Sequence, residues 1–215
     1  HPAHPGTSEL VGRAGAAAAA EAGAPPGVFS LLHDAAYDVG TALVAHPRVM
    51  AVGFTGSRAG GDALMRIAAA RPQPIPVYAE MSSVNPTLLL AEALHQRAEK
   101  IAEGFVASLT MGVGQLCTNP GLVLAPEGPG LERFIAAAEN ALATATTGPM
   151  LTQGIRANYD AGVRRLAEHA TSTRVAREAE PSGHPVPRLF RVSAQSLRED
   201  PSLAHEVFGP AALVV

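Results

Sequence analysis

Cys117 is the only cysteine of the 215-residue chain and lies in the polar, glycine-bounded stretch GQLCTNPG at residues 114–121. A lone cysteine is most often a small buried hydrophobe. A loop of this kind is not a typical core position, however, and a nucleophilic thiol needs such access together with a route to the thiolate. The residues therefore permit a reactive Cys117 and leave a structural role open.

Glu80 is the second candidate, because it ends the apolar run at 77–79 and is followed by Met81 and two serines. A carboxylate at the buried end of a strand could act as a general base. The alternative is a solvated residue at a strand end, which a single glutamate favours.

The third candidate is the glycine-rich stretch GFTGS at residues 53–57, followed by Gly60 and Gly61, between an apolar run and a helical one. Glycines let a backbone approach a ligand closely, and a helix N-terminus favours phosphate. The stretch is not the G-x-G-x-x-G fingerprint. A dinucleotide site and a simple strand-to-helix turn both fit it.

The histidines give no comparable signal. Beyond the terminus they are scattered and lack the i, i+4 or C-x-x-C spacing of zinc ligands, so we expect no metal site; they are His33, His46, His95, His169, His184 and His205. The composition does not exclude a Cys–His hydrolase, although no histidine lies near Cys117 in sequence.

The elements that position these residues alternate between helix and strand in the first part of the chain. Thr7 or Ser8 is expected to cap the first helix, which ends near Gly23. The pattern then predicts a buried strand at 28–32, a helix at 35–45, a strand at 49–55, a helix at 58–70 and an extended run at 74–79. This rhythm is typical of a parallel sheet with crossover helices, and hence of the α/β class.

The pattern restarts in the second part, and we place the boundary between residues 1–79 and 80–215. A long amphipathic helix leads from the strand at 87–90 to the glycines before Cys117. Further strands are predicted at 121–125, 173–178, 188–193 and 211–215, with helices at 130–145 and 154–170.

Composition excludes several classes of protein. Hydrophobic residues make up 47% and charged residues 16% of the chain, which allows a sizeable core. The net charge of −3 does not favour binding to the negatively charged backbone of a nucleic acid. No apolar run approaches a membrane span, and the N-terminus is no signal peptide. A single cysteine cannot form an internal disulfide, so we expect a cytoplasmic protein.

Four segments, taken in order, resemble the motifs of the aldehyde dehydrogenase superfamily. FTGS at 54–57 is similar to the family's cofactor-binding turn, and Glu80 heads a segment similar to its general-base motif. G-Q-x-C at 114–117 resembles the nucleophile motif. EVFGP at 206–210 resembles a motif that contacts the nicotinamide end of the cofactor.

Details resemble one branch of the family. EMSSVNP at 80–86, CTNPG at 117–121 and GPMLT at 148–152 look like the 2,5-dioxovalerate (alpha-ketoglutaric semialdehyde) dehydrogenases and related fatty aldehyde dehydrogenases. Ser82 replaces a glycine that is usual in the general-base motif.

The resemblance implies an α/β fold of the aldehyde dehydrogenase type, with part of a Rossmann-like cofactor domain followed by most of a catalytic domain. It implies an aldehyde as substrate, Cys117 as the nucleophile that forms a thiohemiacetal and then a thioester, and Glu80 as the base that activates water. Cys117 N–H and an Asn would stabilise the oxyanion. Gly56, Ser57 and Gly61 would lie against the phosphates of NADP or NAD, Glu206 would hold the nicotinamide ribose, and Phe208 would pack near the ring.

The same resemblance carries expectations about the whole protein. Pro2 falls where NAD-preferring members often have a Glu, so we expect NADP to be accepted. The oxyanion Asn and a cofactor-binding Lys find no match here. The chain opens without Met and closes on an apolar run, so we expect an inactive internal fragment of a protein that forms a homo-oligomer.

Two other readings remain at this stage. An acyl-transferring relative would pass the acyl group to coenzyme A, but those relatives generally lack the carboxylate at the position of Glu80. A non-catalytic homologue would act as a binding or structural protein, which the joint presence of Cys117, Glu80 and Glu206 disfavours.

Overall fold

The computed structural model describes residues 3–169, 173–175 and 183–215. Contacts divide the chain into two units, His1–Ser82 and Ser83–Val215, called the first and second unit below. Whether a cofactor part and a catalytic part meet at 79/80 stays a prediction. No helix among the described residues is long and apolar enough to cross a bilayer.

Within residues 3–82, the first unit contains three helices and one pair of strands. In chain order these are α1 Pro5–Glu21, α2 Asp38–Ala45, β1 Val52–Thr55, α3 Arg58–Ala69 and β2 Val77–Glu80. β1 and β2 pair in parallel, from Val52 opposite Val77 to Thr55 opposite Glu80. Helix α3 connects the two strands, as the alternating pattern predicts.

The start of α1 differs from the prediction. The helix begins at Pro5 with His4 as its N-cap, so neither Thr7 nor Ser8 caps it. Proline is favoured in the first turn of a helix because its φ angle is already helical and its missing N–H would have no partner there. The helix therefore begins at the proline, two residues before the first hydroxyl residue that the sequence suggests as a cap.

The predicted buried strand at 28–32 is wrong. The segment has no regular secondary structure, and Val28, Phe29, Leu31 and Leu32 are all exposed to a substantial degree. Part of this segment packs on glycines of α1 instead: a Cβ added at Gly12 would lie against the Leu31 side chain, and one added at Gly15 would touch the Phe29 ring. The apolar run thus covers a helix face and does not enter a sheet.

The second unit is built around a five-stranded sheet in the order β3-β4-β7-β6-β5. Its elements are β3 Pro86–Leu88, α4 Ala91–Thr110, β4 Leu122–Leu124, α5 Pro129–Thr144, α6 Gln153–Glu168, β5 Thr173–Val175, β6 Arg188–Arg191, α7 Ala194–Glu199 and β7 Ala211–Val214, with short 3-10 segments at Met111–Gly114 and Pro201–Ala204. β3, β4, β7 and β6 run parallel, and only β5 is antiparallel to its neighbour.

Apolar side chains cover both faces of this sheet. One cluster joins Val123, Leu189 and Val214 to α4 and α5, whose rings of Phe105 and Phe134 lie 5.6 Å apart. The other cluster joins Leu122, Phe190 and Leu213 to Leu166 of α6 and to Leu203. Successive residues of one strand thus face opposite clusters, as strand geometry requires. All of β7 is buried because it lies between β4 and β6 under both layers.

The remaining predictions for the second unit differ mainly at element ends. Of the strand expected at 173–178, residues 173–175 form β5, and residues 176–178 lie outside the described residues. Helix α7 was not predicted. Ser193 caps it by accepting from Ser196 N–H, and a six-residue helix is too short to show a clear apolar period.

Candidate active site

The turn after β1 and the end of β2 lie together in the first unit. Thr55 pairs with Glu80, and the N–H of Gly56 donates to the carbonyl of Glu80 at 3.0 Å. Both strands are parallel, so their carboxyl ends meet at one edge, and ligand sites in open α/β sheets lie at such edges. The structure thus brings three predicted site residues, Gly56, Ser57 and Glu80, to one edge.

Ser57 begins α3 in a way that leaves the helix end open to a ligand. Its hydroxyl accepts from Gly60 N–H at 3.2 Å, and its carbonyl accepts from Gly61 N–H at 3.0 Å. The N–H groups of Arg58 and Ala59 precede that first intrahelical bond, and Gly56, Ser57 and Arg58 are exposed. A helix N-terminus with an arginine on its first turn fits an anion such as a cofactor phosphate.

The glycine at position 61 has a different explanation. Gly61 is buried, and a Cβ there would collide with the side chain of Met81. A Cβ at Gly56 would lie 2.7 Å from the ring of Phe54. Packing within the unit therefore accounts for glycine at both positions, and direct contact of Gly61 with a cofactor stays a prediction.

Glu80 is exposed, so the buried strand end considered from the sequence is not present. Glu80 lines an open depression together with Gly53, Thr55 and Tyr78 of the two strands. A solvent-accessible carboxylate in this position can reach water, which is what a base for hydrolysis must do.

Three successive residues before Cys117 have left-handed backbone. Gly112, Val113 and Gly114 have φ angles of 56°, 61° and 64°. For a β-branched residue such as Val113 this conformation is strained. A Cβ at Gly114 would lie 2.5 Å from the backbone nitrogen of Pro210 and 2.6 Å from the carbonyl oxygen of Gly209. Glycine at 114 therefore permits the turn to contact the segment that contains Glu206 and Phe208.

Cys117 itself is exposed and free. Its carbonyl oxygen accepts two hydrogen bonds, one from the Ser83 hydroxyl and one from the Asn85 amide, both at 2.6 Å. The backbone of the nucleophile candidate is thus held by two side chains, while the residue remains exposed.

Asn119 links this loop to the next motif. Its Nδ2 donates to the carbonyl of Gly209 at 3.0 Å. Its Oδ1 is buried and has no hydrogen-bond partner among the described residues. Buried amide oxygens are normally paired, so this oxygen is an acceptor available to the small concavity beside it.

Glu206 and Phe208 lie in the segment before β7 and line that same concavity with Ser83 and Asn119. Glu206 is half-buried, and the side chain of Phe208 is 37% exposed. The structure therefore brings Cys117, Glu206 and Phe208 to one region of the second unit.

A buried tyrosine packs against the segment that contains Glu206 and Phe208. Tyr159 of α6 donates to the carbonyl of Val186 at 2.6 Å, and its ring would collide with a Cβ at Gly209, whose φ is 144°. Burial raises the pKa of the Tyr159 hydroxyl, so it stays a neutral donor.

Sequence patterns assign no function in the site to Ser83, Asn85, Asn119 or Tyr159. An Asn-Pro pair such as Asn85-Pro86 is a recognised turn signal, and it could have drawn attention to Asn85. The contacts of Asn119 and Tyr159 span 90 and 27 residues and have no local signal. Within the described parts of the chain, no group of His, Cys, Asp and Glu side chains could hold a metal ion.

Parallel strands joined by helices place both units in the α/β class, and residues 5–215 match the aldehyde dehydrogenase family. The chain belongs to that family, and the resemblance predicted from the four motifs is confirmed.

The relatives agree with the predicted branch. The chain is 56% identical over 217 residues to alpha-ketoglutaric semialdehyde dehydrogenase 2 of Azospirillum brasilense. It is 41% identical over 218 residues to the alpha-ketoglutaric semialdehyde dehydrogenase of Acinetobacter baylyi. Both alignments cover 100% of this chain and 41% of the relative, so the chain spans well under half the length of these proteins.

Two solved structures have a fold similar to that of this chain. A mutant of proline utilization A from Bradyrhizobium japonicum is 26% identical with a TM-score of 0.78, covering 96% of this chain and 21% of that one. A NAD-dependent benzaldehyde dehydrogenase from Corynebacterium glutamicum is 22% identical with a TM-score of 0.71, covering 90% and 42%. The predicted α/β fold of the aldehyde dehydrogenase type is confirmed.

Proposed function

We propose that the protein containing this chain oxidises an aldehyde to its carboxylic acid with NAD or NADP, using Cys117 as nucleophile and Glu80 as base. The observation that carries the proposal is the exposed Cys117 thiol on a loop whose backbone is held by hydrogen bonds and which contacts the segment of Glu206 and Phe208.

The reaction would proceed on Cys117 in two stages. The thiolate adds to the aldehyde carbon and gives a thiohemiacetal, and loss of a hydride converts this to a thioester. Glu80 then takes a proton from water, the resulting hydroxide attacks the thioester carbon, and the Cys117 thiolate leaves with its electron pair. Aldehyde, water and oxidised cofactor are consumed, and acid, reduced cofactor and a proton are released.

The cofactor would supply only the hydride acceptor. Ser57 and the first turn of α3 are suited to hold its phosphates, because the N–H groups of Arg58 and Ala59 precede the first intrahelical bond and Arg58 is exposed. Gly56, whose N–H donates to Glu80, would lie against them. Glu206 would hold a ribose and Phe208 would pack near the ring. Pro2, on which the expectation for NADP rests, lies outside the described residues; kcat/KM measured with each cofactor tests that preference.

The relatives support a substrate class. Two of them are named for alpha-ketoglutaric semialdehyde, so a short semialdehyde with a second carbonyl and a carboxylate is the proposed substrate. Assembly into a homo-oligomer stays a prediction.

The decisive experiment replaces Cys117 by Ser in the protein containing this chain. We expect aldehyde oxidation to fall by at least about 10³-fold, because an alkoxide forms far less readily than a thiolate at neutral pH. Cys117 is exposed, so stability should change by less than about 0.5 kcal/mol.

Product analysis belongs to the same experiment. Free acid formed without coenzyme A supports water as the acceptor, whereas acyl-coenzyme A as the product would move the protein to the acyl-transferring class. Full activity of Cys117→Ser would remove the assigned nucleophile.

A further inference from the structure

Two side chains, those of Ser83 and Asn85, donate hydrogen bonds to the backbone carbonyl of Cys117. We propose that Ser83 and Asn85 are positioning residues that fix the peptide between Cys117 and Thr118, and with it the direction of the thiol. This inference rests on the proposed function, since it assigns a task within that same site.

The first step is the pair of donors on one acceptor. The Ser83 hydroxyl and the Asn85 amide both reach the Cys117 carbonyl oxygen at 2.6 Å. A carbonyl oxygen has two lone pairs, so the two donors saturate it. Since the peptide group is planar, a fixed carbonyl holds the whole peptide plane that follows Cys117 and restricts the ψ angle of that residue.

The amide of Asn85 also holds the loop at a second point. Its Nδ2 lies 3.1 Å from the carbonyl oxygen of Asn119 and 3.2 Å from the Ser83 hydroxyl. The opposite orientation would place Oδ1 against two carbonyl oxygens, with no hydrogen between them. Asn85 thus bridges the residues on either side of Thr118.

The holding residues are themselves attached to the sheet. Asn85 immediately precedes β3, whose first residue, Pro86, pairs with Leu122 of β4. The N–H of Gly121 donates to the Val84 carbonyl at 2.9 Å. The loop that carries Cys117 is therefore pinned to the start of a neighbouring strand, and rigid elements hold reacting groups more accurately than free loops do.

Asn85 also has a backbone conformation that few residues accept. Its φ is 45°, which Asn, Asp and Gly tolerate better than other residues. Asn85→Gly therefore removes the amide without adding strain. Asn85→Asp keeps the shape but replaces the donor by a carboxylate.

The experiment uses four variants of the protein containing this chain: Ser83→Ala, Ser83→Thr, Asn85→Gly and Asn85→Asp. Ser108→Ala is the matched control, because Ser108 is an exposed serine on α4 outside the site. Steady-state oxidation of a semialdehyde gives kcat and KM. Alkylation of Cys117 by iodoacetamide, followed by mass spectrometry of its peptide, reports the thiol directly, and thermal melting reports the fold.

We expect kcat to fall about threefold to tenfold for Ser83→Ala and about tenfold or more for both Asn85 variants, which lose the hydrogen bonds to the carbonyls of Cys117 and Asn119. KM for the aldehyde should stay close to that of the control in all variants, and so should the melting temperature of Ser83→Ala and Asn85→Gly; Asn85→Asp places a carboxylate against two carbonyl oxygens and should also lower the melting temperature. The alkylation rate should change with kcat. Ser83→Thr keeps the hydroxyl and should restore most of the activity.

A purely structural role predicts the reverse: a lowered melting temperature with kcat and alkylation unchanged in the folded fraction. That result, or kcat at the control level in Ser83→Ala and both Asn85 variants while Cys117→Ser is inactive, overturns the inference alone. An active Cys117→Ser overturns the proposed function, whatever the Ser83 and Asn85 variants do.

Discussion

The two units place their candidate residues at opposite ends of parallel strands. In the first unit the turn at Gly56 and the residue Glu80 lie at the carboxyl ends of β1 and β2. In the second unit Asn85, Cys117 and Gly209 lie before β3, β4 and β7, which are neighbours in the sheet. Three segments distant in sequence thus converge at the amino ends of adjacent strands.

The candidate residues of the two units are therefore positioned in two different ways. At the carboxyl edge of the first unit, a helix N-terminus follows a strand directly, so a single local motif supplies backbone donors for an anion. At the amino edge of the second unit, no one motif suffices. The Cys117 loop obtains its geometry from side chains and backbone of the two neighbouring segments.

The units also differ in how they are packed. Among the described residues, Val44 and Ala68 are the buried hydrophobic side chains of the first unit, whereas the second unit buries both faces of a five-stranded sheet. A two-stranded sheet alone is marginally stable. The proposed nucleophile, Cys117, therefore lies on the better-packed unit.

The largest effect on turnover is expected from replacing the proposed nucleophile and the proposed base, which lie in different units. Cys117→Ser in the second unit should stop both stages, whereas Glu80→Gln in the first should stop only hydrolysis of the thioester. We expect a burst of reduced cofactor in rapid-mixing experiments, followed by turnover slowed about 10²–10⁴-fold. A variant that lacks the burst but turns over slowly would assign Glu80 to the first stage, and an unchanged rate would remove it from the mechanism.

A smaller effect tests the difference in packing. Phe134 is 0% exposed and Phe29 is 45% exposed. We expect Phe134→Ala to lower the free energy of unfolding of the second unit by about 3–5 kcal/mol, and Phe29→Ala to change that of the first by less than about 1 kcal/mol. Urea unfolding of the protein containing this chain measures both. Equal losses would show that Phe29 is covered in the protein.

The sequence predicts the elements of both units better than it predicts their contacts. Hydrophobic periodicity locates α3 and α5 to within a residue at each end and predicts the existence of the long α4, because each buries one face in a regular pattern. It fails at 28–32, where an apolar run packs on glycines of α1 and no strand lies beside it. Local composition cannot tell these two environments apart.

The candidate site divides in the same way. Motifs locate Cys117, Glu80 and the turn at Gly56, because each is defined by neighbours in sequence. The bonds from Asn85 to Cys117 and from Asn119 to Gly209 join residues 32 and 90 positions apart. They depend on which strands become neighbours, and strand order has no local signature.

The smallest effect compares the same substitution in the two units. Gly114→Ala places a Cβ against the backbone of Gly209 and Pro210 at a φ of 64°, and neither backbone can move without shifting β7. We expect a loss of about 1–3 kcal/mol in unfolding free energy and a lower kcat, since Cys117 follows three residues later.

Gly61→Ala is the matched change in the first unit. Its Cβ would collide with the side chain of Met81 and lie in ordinary contact with the Phe54 ring at 3.5 Å, and the unbranched thioether of Met81 can adopt another rotamer. Alanine also favours the helical conformation of α3 by about 1 kcal/mol over glycine. The steric cost at Met81 and the gain in helix propensity oppose each other, so urea unfolding should show a change near zero in the free energy of unfolding. A large loss at Gly61 with none at Gly114 would mean that the turn before Cys117 is adaptable, and that the second unit does not hold its nucleophile as rigidly as its contacts indicate.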